Sequence, residues 1–256
     1  VQLWVEPLKD KEGNLVGPHA ISTKYGTPKC EFSSRLVRVD ETNLHPSYTP
    51  TWVGGHPSLG EQIAKALIDR HASTPIPDWP RAISSVQSQV RLDSRSRVDF
   101  VVHHPQCKPR LVEVKTVVDT DYCVSWPLPQ RAKCVFTSSF HPYRRCALFP
   151  WGSSNQKGPD GQAVVSARAI KHVHELTKLH ERLEYDATIL FIVIRGDAQV
   201  FAPNAQACPT FSRYLQQAQE AGVQILAKRV QWDHLGQCWD DEWLPVEFPQ
   251  DLETQE

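Results

Sequence analysis

Asp99, Glu113 and Lys115 are the residues of this chain whose types and spacing could do chemistry. They fall on two β-rich segments, Arg97–His103 and Arg110–Val118, interrupted by His104-Pro-Gln-Cys-Lys-Pro109; the interruption reads as a hairpin connection. A turn centred near Gln106 makes cross-strand partners sum to about 212, which sets Asp99 opposite Glu113, Arg97 opposite Lys115 and Val101 opposite Leu111. Directly opposed side chains lie roughly 5 Å apart at Cβ, where two carboxylates repel. A divalent cation would turn that repulsion into binding, because Mg²⁺ is commonly held by one or two carboxylates plus water and substrate phosphate. Lys115, on the same face as Glu113, would point at the same spot and could position or deprotonate a water, or hold a phosphate. The alternative on the same residues is a hydrated sheet face on which Asp99 and Glu113 pair with Arg97 and Lys115, an ion-pair lattice of little energetic value.

The elements around the hairpin must place these groups. Strand alternation puts Val98, Phe100 and Val102 on one face, with Val112, Val114, Thr116 and Val118 on the matching face of the second strand. The Val101–Leu111 pair implies that the charged face is covered too. Upstream, Ile83–Leu92 reads as a strand. Ser58-Leu-Gly-Glu61 has capping-box spacing and opens a helix whose apolar stripe runs through Ile63, Ala66, Leu67 and His71. Downstream, Val164–Leu183 has helical periodicity through Val165, Ala169, His172, Leu176 and Leu179. Ala187–Ile194 reads as a fully buried strand, Phe201–Pro203 as a short one, Phe211–Ala221 as a helix stopped by Gly222, and Val223–Val230 as a last strand. The expected fold class is α/β, an α+β mixed sheet with helices covering it. Residues 1–50 read as a small irregular β region around Leu36, Val37 and Val39, and the Pro/Gly-rich stretch from His45 to Pro57 reads as a linker.

Composition bounds the rest. The chain has 256 residues, 40% hydrophobic and 22% charged, enough for one or two domains with a real core and inconsistent with disorder for most of it. The longest apolar run, Ile189–Ile194, is too short to span a bilayer, so no membrane association is expected. The seven cysteines are odd in number, scattered and without a C-x-x-C pair, which points to reduced thiols in a cytoplasmic or other reducing compartment. There is no methionine. The chain therefore reads as an excerpt or processed product, and organelle targeting stays open. The formal net charge of −1 hides an asymmetry: all 28 basic residues precede position 233 against 21 acids, a balance of +7, and residues 233–256 carry eight acids. That tail reads as a solvated acidic terminus.

With these residues in hand, a resemblance can be stated. Asp99 followed by Glu113-Val-Lys115 on the next strand, flanked by helices, resembles the PD-(D/E)XK nuclease superfamily. Ser96-Arg-Val-Asp-Phe100 and Val112-Glu-Val-Lys-Thr116 resemble the sugar fermentation stimulation protein (SfsA) family more specifically. Ala147-Leu-Phe-Pro150, Ser166-Ala-Arg168 with Lys171-His172, Leu190-Phe-Ile-Val193, Phe201-Ala-Pro203 and Ala221-Gly-Val223 follow in order. The resemblance implies a PD-(D/E)XK restriction-endonuclease-like core over residues 51–232 and a partial OB-like β region over residues 1–50. It also implies a DNA partner and Mg²⁺ or Mn²⁺ held by Asp99, Glu113 and the carbonyl of Val114, with Lys115 as the catalytic lysine. Glu61 matches a place where some superfamily members carry an extra acid, although its capping box with Ser58 is the preferred reading. Val98 stands where the superfamily name has proline, and a long insert separates the hairpin from the Val164 helix.

Residues 122–159, that insert, hold five bases, no acids and seven aromatics, a composition that suits either a phosphate-tracking surface with stacking platforms or a loop whose aromatics anchor it to the body. Arg97, Arg144, Arg145, Arg168 and Lys171 are the candidate nucleic-acid contacts. His103, His104 and Cys107 lack a matching pair at zinc-ligand spacing, and His172, His174 and His180 do not form a zincin pattern. The expected function is phosphodiester hydrolysis by a metal-dependent DNA endo- or exonuclease. The alternative is a non-catalytic DNA-binding or regulatory protein of the same family. Oligomeric state is not readable.

Overall fold

The structure is a computed structural model that describes residues 2–92, 97–130, 134–138, 141–153 and 156–248. In chain order the elements are β1 Gln2–Pro7, β2 Phe32–Val39, β3 Thr51–Gly54, α1 Leu59–Asp69, β4 Ser85–Arg91, β5 Arg97–His103 and β6 Arg110–Val117. They continue with β7 Tyr122–Cys123, β8 Thr137–Ser138, β9 Cys146–Phe149, β10 Gln156–Lys157, β11 Ala163–Val164 and α2 Ala167–Glu181. The last are β12 Asp186–Val193, β13 Val200–Pro203, α3 Pro209–Glu220, β14 Gln224–Trp232 and β15 Cys238–Leu244.

A six-stranded mixed sheet in the order β15-β14-β12-β6-β5-β4 forms the body. β12 lies parallel to both β6 and β14, and the other neighbours are antiparallel. β12 is the central strand and is apolar on both faces because both are covered. The helices α2 and α3 pack on one face over Leu111, Val117, Ile189 and Phe191. On the other, α1 packs over Val112, Val114, Leu190 and Ile192. The fold is thus mixed α+β, as expected.

The hairpin has the expected register over three pairs, Phe100–Val112, Val101–Leu111 and Val102–Arg110; the expected Asp99–Glu113 and Arg97–Lys115 pairs are not part of this ladder, because the Asp99 side chain takes the Val114 N–H beyond it. Gln106, at the turn, takes a positive φ of 59°. One expectation about its faces is corrected. Val98 does not share a face with Phe100 and Val102; it packs on the α2 side while they pack on the α1 side. The cause lies on the neighbouring strand, where Gln89 has φ 54°, a left-handed conformation that interrupts alternation. Val86 and Val90 on β4 consequently face opposite cores, while the β4–β5 register is kept from Ser88–Phe100 to Val90–Val98.

Three further readings change. Ser58 caps α1 by position only: its hydroxyl bonds His56 and Gln62, and no capping box with Glu61 forms. The N-terminal sheet, in the order β1-β2-β3, includes Thr51–Gly54 and so passes the boundary set at residue 50. The acidic stretch is not simply a solvated terminus, because Cys238–Leu244 is the edge strand β15. Lys228 reaches Asp240 at 2.5 Å, Arg229 reaches Asp241 at 2.5 Å and Glu242 at 3.3 Å. Those acids neutralise bases of the neighbouring strand and were invisible as a strand because a charged edge lacks a clean apolar pattern. Asp251, Glu253 and Glu256 lie outside the described residues. Among the described residues no helix is long and apolar enough to cross a membrane.

α1 is seated on the sheet by one close approach. A Cβ added to Gly60 would stand 2.1 Å from Thr116 Oγ1, and that hydroxyl donates to the carbonyl of Pro57 at 2.8 Å. Gly60→Ala is expected to cost about 1–3 kcal/mol by overpacking, read as a lower midpoint in urea. Thr116→Ala in the same chain should return part of the loss, because it removes the nearest atom.

Candidate functional site

β5, β6, α1 and the start of α2 meet at one end of the hairpin. They enclose a cleft of ≈ 250 Å³ lined by Glu61, Asp99, Glu113, Val114, Lys115, Phe149, Ser166, Arg168 and Ala169. Six of the sequence-derived candidates share it: Asp99, Glu113, Val114 and Lys115 from the hairpin, Glu61 from α1 and Arg168 from α2. Gly60 against Thr116 sets the height of Glu61. The apolar stripe of α2 (Ala169, Ile170, Val173, Leu176), packed in the core, orients Arg168 and His172.

Asp99 and Glu113 have different surroundings. The recorded ladder stops at the Phe100–Val112 pair, and beyond it the Asp99 side chain takes over: Oδ2 accepts the Val114 N–H at 2.7 Å. Its other oxygen, Oδ1, accepts from Gln89 Nε2 at 3.1 Å, and the same amide nitrogen donates to Glu61 Oε2 at 3.0 Å. Glu113 is only 2% exposed. Its Oε1 is bonded by both Lys115 Nζ and His172 Nδ1. Arg168 Nε lies 3.4 Å from His172 Nε2, and because the ionised Glu113 oxygen can only accept, His172 Nδ1 donates to it. Glu113 Oε2 is buried with no hydrogen-bond partner among the described residues.

These surroundings push the two carboxyls apart. Burial, reinforced by the neighbouring Glu113 charge, raises Asp99 from 3.8 to about 6, against the Val114 N–H and Lys115. Burial would raise Glu113 as well, but the hydrogen bonds and charges of His172 and Lys115 outweigh it and hold Glu113 below its ordinary value. Among the described residues no group of three or more His, Cys, Asp or Glu comes together as a cation cage. The cleft is lined by the two carboxyl groups and by Val114 between them and Lys115, with Glu61 tied in through Gln89.

The basic candidates divide. Arg168 lines the cleft. Arg97 is exposed and pairs across β4–β5 with Arg91, outside the cleft lining. Lys171 lies on the outer face of α2, 3.5 Å from Glu175. Arg144 and Arg145 are corrected as nucleic-acid contacts. Arg145 is 3% exposed and bonds Glu41, Asp197 and Thr120 with its guanidinium 3.9 Å from the Tyr48 ring centroid. Arg144 is bound to Glu247 at 2.8 Å. Two of the insert's aromatics likewise anchor it: the Tyr143 and Tyr48 hydroxyls are 2.7 Å apart and Tyr122 donates to Glu41 at 2.8 Å, whereas Trp126, which His45 meets edge-on, and Trp151 stay exposed. Arg131, Lys133 and Phe140 of the insert and Ser96 of the hairpin motif lie outside the described residues.

Sequence reasoning missed two residues of the site. In the sequence His172 belongs to a helical stripe and to the Lys171-His172 stretch of the resemblance and fails as a zinc ligand, with no role in the site assigned to it. The available signal was a titratable ring on a core-facing position one turn after Arg168. Gln89 gave no signal, because its backbone conformation is not written in its residue type.

Fold and site together define an α+β protein with an acidic, lysine-bearing cleft at one end of its central sheet. A family model described as the sugar fermentation stimulation protein RE domain matches residues 159–236, which span α2, β12, β13, α3 and β14. A sugar fermentation stimulation protein homolog from Cyanothece sp. is 27% identical over 212 residues, 82% of this chain and 70% of the relative. The homolog from Synechococcus elongatus is 28% identical over 213 residues, 83% of this chain and 69% of the relative. The solved structure of Pyrococcus furiosus SfsA in complex with Ca²⁺ superposes with a TM-score of 0.56 at 18% identity, covering 86% of this chain and 73% of the other. Over most of its length the chain is thus similar to sugar fermentation stimulation protein (SfsA) homologs, and its residues 159–236 match that family's RE domain.

Proposed function

We propose that this protein binds DNA and hydrolyses its phosphodiester bonds with a divalent cation, Mg²⁺ or Mn²⁺, held by Asp99, Glu113 and the Val114 carbonyl. On this reading residues 51–232 are a PD-(D/E)XK nuclease-like core and the β1-β2-β3 sheet is part of an OB-like module. The observation that carries it is the buried Glu113 Oε2, which no group among the described residues satisfies, next to a second carboxylate whose proton affinity is raised by burial and then by its neighbour's charge. A buried unpaired carboxylate oxygen is costly unless a cation or ordered water completes it. Two carboxylates with a carbonyl suit a hard cation that keeps waters and a phosphate in its shell. The Ca²⁺ in the Pyrococcus furiosus relative agrees with a divalent-cation role.

The chain's own groups divide the work. His172 and Lys115 occupy Glu113 Oε1, which leaves Oε2 as the oxygen available to a cation. Asp99 is held by the Val114 N–H, which fixes the strand end where the carbonyl donor lies. The Lys115 ammonium stands beside Glu113 and can donate to a water or to a phosphate oxygen. Arg168 and Ser166, at the start of α2, line the cleft where a helix N-terminus favours a phosphate. A bound cation would supply Lewis-acid polarisation of the phosphoryl oxygen and a lowered pKa for water.

The test uses labelled single- and double-stranded DNA with Mg²⁺, Mn²⁺ or EDTA. The expected result is cleavage with either ion, none in EDTA, and loss of cleavage in Glu113→Gln and Lys115→Ala. Salt-sensitive binding without cleavage under any ion would leave a DNA-binding regulator, and no DNA retention at low salt would exclude both.

A further inference from the structure

We infer that Gln89 is a positioning residue of this cleft: its side-chain amide bridges Glu61 and Asp99 and thereby orients Asp99, one of the carboxylates proposed to hold the cation. The inference rests on the divalent-cation reading above and adds to it a neutral residue outside the acid and lysine set.

Three observations converge. The Gln89 amide nitrogen donates to Glu61 Oε2 at 3.0 Å and to Asp99 Oδ1 at 3.1 Å, one hydrogen for each acid. Gln89 and Asp99 lie between the Ser88–Phe100 and Val90–Val98 pairs of β4 and β5, so the amide reaches one acid on the neighbouring strand and one on α1. Finally, Gln89 adopts φ 54° inside a strand, where a non-glycine residue is strained. A glycine would accept that backbone freely but would carry no amide. A side chain retained at a position whose backbone suits glycine is accounted for by what the side chain holds, and strained residues of this kind concentrate at functional sites.

The chemistry is that of a residue behind the metal ligands. Glu61 and Asp99 come from different elements, α1 and β5, and carry like charges. Without a donor between them they would separate into solvent. A neutral carboxamide satisfies both without adding a positive charge that would compete with a cation. Such outer partners of ligating carboxylates typically carry a 10–100-fold effect on metal affinity.

Two variants of the full chain test this, with Mn²⁺ binding followed by electron paramagnetic resonance and melting followed by circular dichroism. Gln89→Gly relieves the backbone and removes the amide, so it is expected to melt no more than about 4 °C below wild type in EDTA. Its Mn²⁺ dissociation constant should rise at least about tenfold. Gln89→Glu, of equal size, replaces the donor with a third carboxylate. It is expected to melt below wild type in EDTA and to gain more from saturating Mn²⁺ than wild type gains. A larger melting loss in Gln89→Gly would show that the amide serves the sheet and not the site. A smaller rise in its dissociation constant, or a Mn²⁺ gain in Gln89→Glu no greater than wild type's, would equally overturn the role. Wild type that takes up no Mn²⁺ would overturn the divalent-cation reading itself and this role with it, whereas wild-type binding with unaltered variants would overturn Gln89 alone.

Discussion

Replacing Arg145 by alanine is expected to lower stability by about 3 kcal/mol, because it leaves Arg195 alone to face the Glu41 and Asp197 carboxylates. Glu41 and Asp197 both converge on its guanidinium, Thr120 Oγ1 accepts from its Nε at 3.0 Å, and the Tyr48 ring covers it. Arg195 cannot replace it, since it already engages Asp197 through Nε and Nη2 at 2.6 and 2.7 Å. The cost therefore comes less from a lost attraction than from two desolvated acids left to share the single charge of Arg195. For a chain of this size the melting temperature should fall by at least roughly 6 °C. Arg144→Ala is the control. Its side chain is 34% exposed and pairs with Glu247 near the surface, so its loss should cost about 1 kcal/mol or less. Equal effects of the two substitutions in chemical denaturation would contradict the buried cluster.

Asp99→Asn is expected to move stability and activity in opposite directions. The carboxyl is raised from 3.8 to about 6 by burial and by Glu113, so the folded state binds its proton more tightly than the unfolded state does. A raised carboxyl of this kind destabilises the fold when ionised: the penalty is absent below about pH 4, grows as pH rises and is complete above about pH 6. At pH 7.5 in EDTA, asparagine removes the charge while its side-chain carbonyl can still accept the Val114 N–H. The variant should then be more stable than wild type by about 2 kcal/mol, and the gain should vanish at pH 4. Adding Mg²⁺ should reverse the order, because only wild type keeps the ligand and ion binding stabilises by mass action. DNA cleavage should fall by about 100-fold or more, the scale on which removal of a charge-stabilising group acts. A variant less stable than wild type at pH 7.5 in EDTA would remove the argument that Asp99 is held under charge repulsion.

What could be read from the chain follows the range of the interactions involved. The β5–β6 register depends on a short connection with Gln106 at its turn, so the pairs Phe100–Val112 and Val101–Leu111 were legible by counting, and with them the meeting of Asp99 with Glu113 and Lys115. The amphipathic stripes of α1 and α2 and the apolar run of β12 are equally local. β15 escaped because it is an edge strand whose Asp240, Asp241 and Glu242 are chosen to meet Lys228 and Arg229 across the ladder. No periodicity in its own residues records that partner.

The basic insert shows the same limit from the other side. Five bases among seven aromatics in residues 122–159 are compatible with a nucleic-acid surface or with a packed loop, and composition cannot separate the two. Only the packing turned Arg145 inward onto Glu41 and Asp197, residues far from it in the chain. The amino-acid sequence by itself determined the hairpin, its pair of acids and its lysine, because neighbours along the chain set the strand alternation and the turn. Tertiary structure alone decided that α1 brings Glu61, that α2 brings Arg168 and His172, and that Gln89 joins two of the acids. Those contacts depend on close approaches between distant segments, such as Gly60 on Thr116, and on a backbone angle at Gln89 that its residue type does not specify.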